Sequence, residues 1–255
     1  MAHGSSVSSN VYAYDIDGDS LTFALTSNAA NGTLVFNGDG SFTYTPDINY
    51  SGPDSFSFSA SDGINPAVTA TVSFDVTNDP PMAYDFSLAT IHDQSISSSA
   101  SGYDMDGDSL TYSVISGPTS GSLGAASMDP STGAFTYTPN PGYVGSDSIV
   151  YEVSDGLDAA TATIAIDVTN DPPIAYDGSV TGAPGEIITG NVGGYDMDGD
   201  TLTYSLVTGP ALGSLGAAGI DPSTGAFTYE PTTAFVGADS FVFQVFDGIA
   251  TATAT

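Results

Sequence analysis

Apolar residues recur at every second position in short runs along this chain. One run holds Leu21, Phe23 and Leu25, and its likeness returns at Leu110, Tyr112 and Val114 and at Leu202, Tyr204 and Leu206. A second run, Phe42 and Tyr44, returns at Phe135 and Tyr137 and at Phe227 and Tyr229. A third is Phe56, Phe58 and Ala60, matched by Ile149, Tyr151 and Val153 and by Phe241, Phe243 and Val245. A fourth is Val72, Phe74 and Val76, matched by Ile164, Ile166 and Val168. A period of two marks strands with one face in a core, and Ser and Thr fill the alternate positions as a wet face would. Turn signals separate the runs: Asn37-Gly-Asp-Gly40, Asp129-Pro-Ser-Thr-Gly133, Asp221-Pro-Ser-Thr-Gly225, and Asp-Gly at 62, 155 and 247. Short strands punctuated in this way predict an all-β, antiparallel β-sandwich of about seven strands.

The runs belong to a repeat. YDIDGDSLTF at Tyr14 to Phe23 returns as YDMDGDSLTY at Tyr103 to Tyr112 and YDMDGDTLTY at Tyr195 to Tyr204. A near-constant period means a tandem array of one small domain. The phrase DVTNDPP occurs at Asp75 to Pro81 and again at Asp167 to Pro173. Its double proline fixes φ and cannot pair in a central strand, so it marks a stiff junction. Boundaries after Asp79 and Asp171 give three units, 1–79, 80–171 and 172–255. The end units read as incomplete. The first lacks the strand that Ala83 to Leu88 supplies to the second, and the third stops before a counterpart of Ile164 to Val168. Open sheet edges of that kind are templates for strand addition from neighbouring molecules. Met1-Ala2-His3 reads as leader sequence, and His92 as a surface turn residue.

Composition narrows the function. There are 30 acidic residues, no Lys or Arg, and a formal charge of −30. Nucleic acid is excluded as a partner, because phosphate neutralisation needs basic side chains. Anionic membrane surfaces are disfavoured for the same reason, and no apolar run is long enough to insert. With no cysteine, thiolate metal sites and disulfides are excluded. With no lysine, a Lys–Asn isopeptide staple is excluded too. Domains of about 90 residues bury modest cores and often need a staple. Bound metal is the remaining one.

The repeated DxDGD provides that chemistry: Asp15, Asp17 and Asp19; Asp104, Asp106 and Asp108; Asp196, Asp198 and Asp200. Calcium takes six to eight oxygen ligands in flexible geometry. Each cluster offers three carboxylates in five residues, with a glycine that lets the backbone turn. The EF-hand pattern does not apply, because Gly stands at position 4 and Ile115 where the Glu should be. Asp39, Asp129 and Asp221 read as plain turn residues. No Ser–His–Asp set recurs, and no Lys or Arg is present to stabilise an oxyanion. The chain is expected not to be an enzyme.

Linker and loop together resemble the cadherin-like, Ig-like repeats of large bacterial surface adhesins and exoproteins, over essentially the whole chain. In cadherins a DxNDN-type linker leads into a domain whose B–C loop carries DxD. Asp75 to Pro81 is similar to the first and Tyr103 to Asp108 to the second, although Pro80 replaces the final Asn and the further acidic loop is missing. The resemblance implies three tandem cadherin-like sandwiches with Ca2+ at each junction. The first junction would use Asp54, Asp75, Asn78, Asp79, Asp104, Asp106, Asp108 and Asp155. The second would use Asp93, Asp147, Asp167, Asn170, Asp171, Asp196, Asp198, Asp200 and Asp247. Asp54, Asp147 and Asp239 stand in for the missing loop, and Glu186 or Asp93 supplies the strand-end acid. The function implied is a calcium-stiffened extender of a secreted or surface-displayed protein. Its partners are neighbouring repeats, with self-association through strand addition or calcium bridging. The alternative is a calcium-dependent polysaccharide- or cell-adhesion module.

Overall fold

The computed structural model describes residues 1–125, 127–233 and 235–255. Its regular elements are all strands, and they form three tandem units of two facing sheets each, with an added two-stranded pair in the middle and third units. The middle unit shows the plan most fully. One sheet holds Ile96–Ser99, Ala134–Pro139 and Gly121–Leu123. The other orders Thr111–Ser116, Gly145–Ser154, Ala159–Thr169 and Phe86–Ile91. The first and third units repeat the three-stranded sheets on each side.

The period-two runs bury as the pattern requires. Ile149, Tyr151, Val153, Ile164, Ile166 and Val168 are at most 1% exposed and form the centre of the middle core. The first unit fills the same space with aromatic rings; Tyr44 stacks on Phe74 with centroids 4.1 Å apart. Leu25 and Leu206 depart from the pattern and lie exposed. A register shift just beyond each of them turns the strand end away from the core. The outer faces carry cross-strand hydroxyl pairs: Ser8 with Thr43, Ser57 with Thr71, Ser97 with Thr136.

The expectation of a wholly antiparallel sandwich needs one correction. Met82–Ala83 pairs antiparallel with Gly102–Tyr103, and the chain then crosses to the other sheet. There Phe86–Ile91 runs parallel to Ala159–Thr169. A strand that changes sheets without reversing must meet its new neighbour in the same direction. Met1–His3, read from the sequence as leader, pair with the first unit in the same way. Ala2 makes a parallel bridge with Thr77, His3 N–H donates to the Thr77 carbonyl at 2.9 Å, and Thr77 N–H donates to Met1 O at 2.9 Å. These residues repeat the end of Phe86–Ile91, where His92 N–H donates to the Thr169 carbonyl at 3.0 Å.

Asp54 and Asp147, expected among the junction ligands, close the ends of their own sandwiches. Asp147 accepts the N–H groups of Thr119 (2.9 Å), Ser120 (2.9 Å) and Ser148 (2.9 Å) and the Tyr137 hydroxyl (3.0 Å). Asp54 does the same with Ala30, Asn31, Ser55 and Tyr44, and Asp239 with Ala211, Leu212, Ser240 and Tyr229. The sequence signal was present: the acid always stands ten residues after the tyrosine that donates to it. Burial opposes ionisation of Asp54 and Asp147, but the N–H and hydroxyl donors outweigh it and hold both carboxyls below the usual range. In return, burial first and the carboxylate bond second push the Tyr44 and Tyr137 hydroxyls up.

A carboxyl depressed in the folded state stabilises above its unfolded pKa, about 3.9, and loses that contribution as pH falls through the lower folded value. Asp147→Asn is expected to cost the middle unit about 1.5–3 kcal/mol at neutral pH, because it leaves a buried N–H facing an amide. Chemical denaturation checks this. The deficit should shrink as pH falls below about 4 and should be the same with and without calcium.

Candidate metal centres at the domain junctions

The repeated acidic loop folds by using its first aspartate as a scaffold. Asp104 Oδ1 accepts the N–H groups of Gly107 (2.9 Å) and Asp108 (3.0 Å). Asp196 Oδ1 accepts those of Asp198 (2.9 Å), Gly199 (2.9 Å) and Asp200 (3.1 Å). The tight loop requires a left-handed glycine, and Gly107 and Gly199 have φ of 85° and 88°. One oxygen is thereby spent on folding. The other, Oδ2 of Asp104 and of Asp196, is buried without a hydrogen-bond partner among the described residues. Both residues are 6% exposed.

Asp104 and Asp196 each stand beside two more carboxylates. Asp104, Asp108 and Asp155 bring ligand atoms within 4.8 Å of one another, and so do Asp196, Asp200 and Asp247. Asp155 and Asp247 arrive from Asp-Gly turns at the same end of each unit. Asp155 Oδ1 accepts Leu157 N–H (2.7 Å) and Asp158 N–H (2.6 Å). Asp247 Oδ1 accepts Ile249 N–H (2.6 Å) and Ala250 N–H (2.6 Å). Burial raises the pKa of Asp155 and Asp247, and the donors around them more than reverse it, so both sit below the usual range. At an effective dielectric constant of about 20, each carboxylate pair at this spacing repels by roughly 3.5 kcal/mol. The donor set is all oxygen, as a hard divalent cation prefers.

The linkers dock onto the same groups. Asp79 N–H donates to Asp106 Oδ2 at 2.8 Å, and Asp171 N–H to Asp198 Oδ2 at 2.6 Å. Asn78 Nδ2 donates to Asp155 (3.0 Å) and Asp158 (2.9 Å), and Asn170 Nδ2 to Asp247 (3.1 Å). Their Oδ1 atoms are buried and unpartnered among the described residues. The structure thus gathers Asn78, Asp79, Asp104, Asp106, Asp108 and Asp155 at the first junction. At the second it gathers Asn170, Asp171, Asp196, Asp198, Asp200 and Asp247.

Other expected residues lie elsewhere. Asp75 and Asp167 are exposed strand residues, paired with Pro53 and Ser146. Asp15, Asp17 and Asp19 form the same turn, with Asp15 Oδ1 accepting the Asp17 and Asp19 N–H groups, but join no ligand group among the described residues. Asp93 lies by the second junction. Its Oδ1 accepts Gly142 N–H at 2.9 Å, and its Oδ2 lies 3.0 Å from His92 Nδ1.

Two residues given little weight in the sequence belong here. His3 and His92 are each 5% exposed, and each reaches across a junction into the next loop. His3 Nε2 lies 2.5 Å from Asp108 Oδ2, and His92 Nε2 lies 2.8 Å from Asp200 Oδ2. Burial works against the charged His92 ring, but its bonds to Asp93 and Asp200 prevail and raise its pKa. A signal was available: His3 and His92 are separated by the same 89 residues as Tyr14 and Tyr103.

Family profiles match three consecutive stretches: a cadherin-like domain at 10–77, a bacterial cadherin-like domain at 78–169 and a bacterial Ig domain at 170–255. The chain belongs to the tandem cadherin-like and bacterial Ig-like proteins. Similar solved structures include the endo-fucoidan hydrolase MfFcnA4 of glycoside hydrolase family 107, at 21% identity over 99% of this chain and 41% of that one, TM-score 0.31. The human desmocollin-1 ectodomain matches at 12% identity over 100% of this chain and 57% of that one, TM-score 0.37. Human CDH23 EC21-23 matches at 16% over 96% and 91%, TM-score 0.37. The chain thus spans about two-fifths of the hydrolase. At these scores the likenesses bear on neither activity nor ligands. Among curated proteins none matches. Domains of these families are usually extracellular and typically non-enzymatic, and cadherin-like domains typically bind calcium. Among the described residues, no helix is long and apolar enough to cross a membrane.

Asn78→Ala removes the amide that ties the first linker to Asp155 and Asp158. In the absence of divalent cations it is expected to loosen the first junction by about 1 kcal/mol. Amide 15N relaxation checks this: the first and middle units should tumble more independently in the variant, with unchanged order inside each unit.

Proposed function

We propose that this chain is a calcium-rigidified extender segment of a secreted or surface-displayed bacterial protein, a stalk or extracellular fibre that holds other parts at a distance. The observation that carries this reading is the pair of buried, unpartnered oxygens, Asp104 Oδ2 and Asp196 Oδ2, each aimed into an all-oxygen group beside a docked linker. A cation there would reverse the local repulsion. It would also link the Asp-Gly turn, the acidic loop and the linker amide oxygen, so that a hinge becomes a strut. The outer faces, lined by cross-strand pairs of Ser and Thr hydroxyls, favour a spacer.

A second reading rests on Tyr103 and Tyr195. Both are about half exposed beside the acidic loops, and such rings can stack on sugars. A calcium-dependent polysaccharide or cell-adhesion module would use them. Glycan binding lost in the Tyr103→Ala, Tyr195→Ala double variant would favour that reading. Self-association would follow from calcium bridging between acidic surfaces. Light scattering at matched ionic strength separates it from screening, which acts equally with sodium.

Calcium at a hundredfold over its dissociation constant is expected to stabilise each junction by about 2.7 kcal/mol. The melting temperature should rise, and the maximum dimension in small-angle scattering should become well defined. The Asp104→Asn, Asp196→Asn double variant should keep the folded baseline and lose both responses. An unchanged melting temperature and dimension in the wild type would contradict the extender reading.

A further inference from the structure

The chain has two histidines, and both point into a domain junction. His3, Asp106 and Asp108 bring ligand atoms within 4.8 Å of one another, and His92, Asp198 and Asp200 do the same. The third aspartate of each loop, Asp108 or Asp200, therefore belongs to two groups: the all-oxygen one, and one that contains an imidazole. His3 Nε2 is 2.5 Å from Asp108 Oδ2 and 3.9 Å from Asp106 Oδ2. It nevertheless makes no hydrogen bond among the described residues, and neither does Asp108 Oδ2. A ring nitrogen in a 5%-exposed side chain that converges on two carboxylates, in ion-pair contact with one of them, is arranged as a ligand.

The donor types separate the two groups chemically. Carboxylate and carbonyl oxygens suit calcium, whereas imidazole suits zinc, nickel, copper and iron. At the second junction Asp93 Oδ2 lies 3.0 Å from His92 Nδ1. A carboxylate on the far ring nitrogen fixes the tautomer and leaves Nε2 as the donor, the outer arrangement of most histidine metal ligands. At the first junction Gly4 stands in that place, so His3 has no such support.

We propose that each junction carries, beside the all-oxygen group, a second site of mixed nitrogen and oxygen donors for a first-row transition ion of the zinc class. The ligands are His3, Asp106 and Asp108 at the first junction and His92, Asp198 and Asp200 at the second. The second site is the tighter of the two because Asp93 orients His92. The assignment does not require calcium in the neighbouring group.

Cobalt(II) added to the full chain in excess calcium is the test, since its visible absorption reports nitrogen ligation. The wild type should bind two ions with a visible band. His92→Gln should remove one and His3→Gln the other. The double variant should lose the band, with circular dichroism confirming that it is folded. Asp93→Asn should weaken the second site alone by about 10–100-fold. Imidazole NMR resonances of both histidines should shift with zinc. Equal cobalt binding and spectra in the double variant would show adventitious ions on an acidic surface and overturn the proposal, as would no cobalt binding in the wild type. Calcium stabilisation retained in the double variant keeps the two sites distinct. Cobalt bound through His92 without any calcium stabilisation would support this site while removing the calcium reading.

Discussion

Carboxylates crowded at the domain junctions, in a chain without a single Lys or Arg, are the constraint on which the rest of the structure depends. In most proteins a buried acid finds an Arg or Lys. Here that route is closed, and the acids divide into two kinds. Asp54, Asp147 and Asp239 are neutralised in effect by backbone N–H groups and a tyrosine hydroxyl, and they hold the sandwich ends shut. Asp104 and Asp196 spend one oxygen on their own loop and leave the other buried without a donor. The first kind is complete within the fold. On the proposed reading, the second kind is completed by a positive charge from solution.

The repeat turns a local motif into a device that acts between domains. The acidic loop and the Asp-Gly turn lie at the same end of a unit because the strands that follow them, Thr111–Ser116 and Ala159–Thr169, flank Gly145–Ser154 in one sheet. The linker leaves the preceding unit from the strand Val68–Val76 or Ala159–Thr169. Prolines immediately after Asp79 and Asp171 stiffen it where its amides meet the loop. The parallel edge strand brings a histidine to the same place from the preceding unit. Each junction therefore joins several segments of chain through short polar contacts.

Much of this was legible in the sequence because strand periodicity and tandem repetition are strong signals. The cores formed by Phe42, Tyr44, Ile149, Tyr151 and Ile164 follow directly from alternation. The pairing of loop and linker was legible too, since both recur with one spacing. Less visible was which way each acid faces. Asp147 is enclosed by its own sandwich and Asp155 opens on the junction; the ten-residue spacing from Tyr137 marks the first in sequence, and the Asp-Gly turn the second. His3 is a weak signal in sequence because it stands near the chain end, and its 89-residue spacing to His92 is slight beside the larger acidic motifs. The parallel strand escaped because alternation carries no information on direction.

The central claim, that the unpartnered oxygens at the junctions are cation ligands, is tested most directly by anomalous diffraction from crystals grown with calcium. The account predicts calcium peaks about 2.3–2.6 Å from Asp104 Oδ2 and Asp196 Oδ2, with Asp108 and Asp155, or Asp200 and Asp247, completing each set. Peaks confined to the exposed Asp129 and Asp221 turns, or none at either junction, would contradict it.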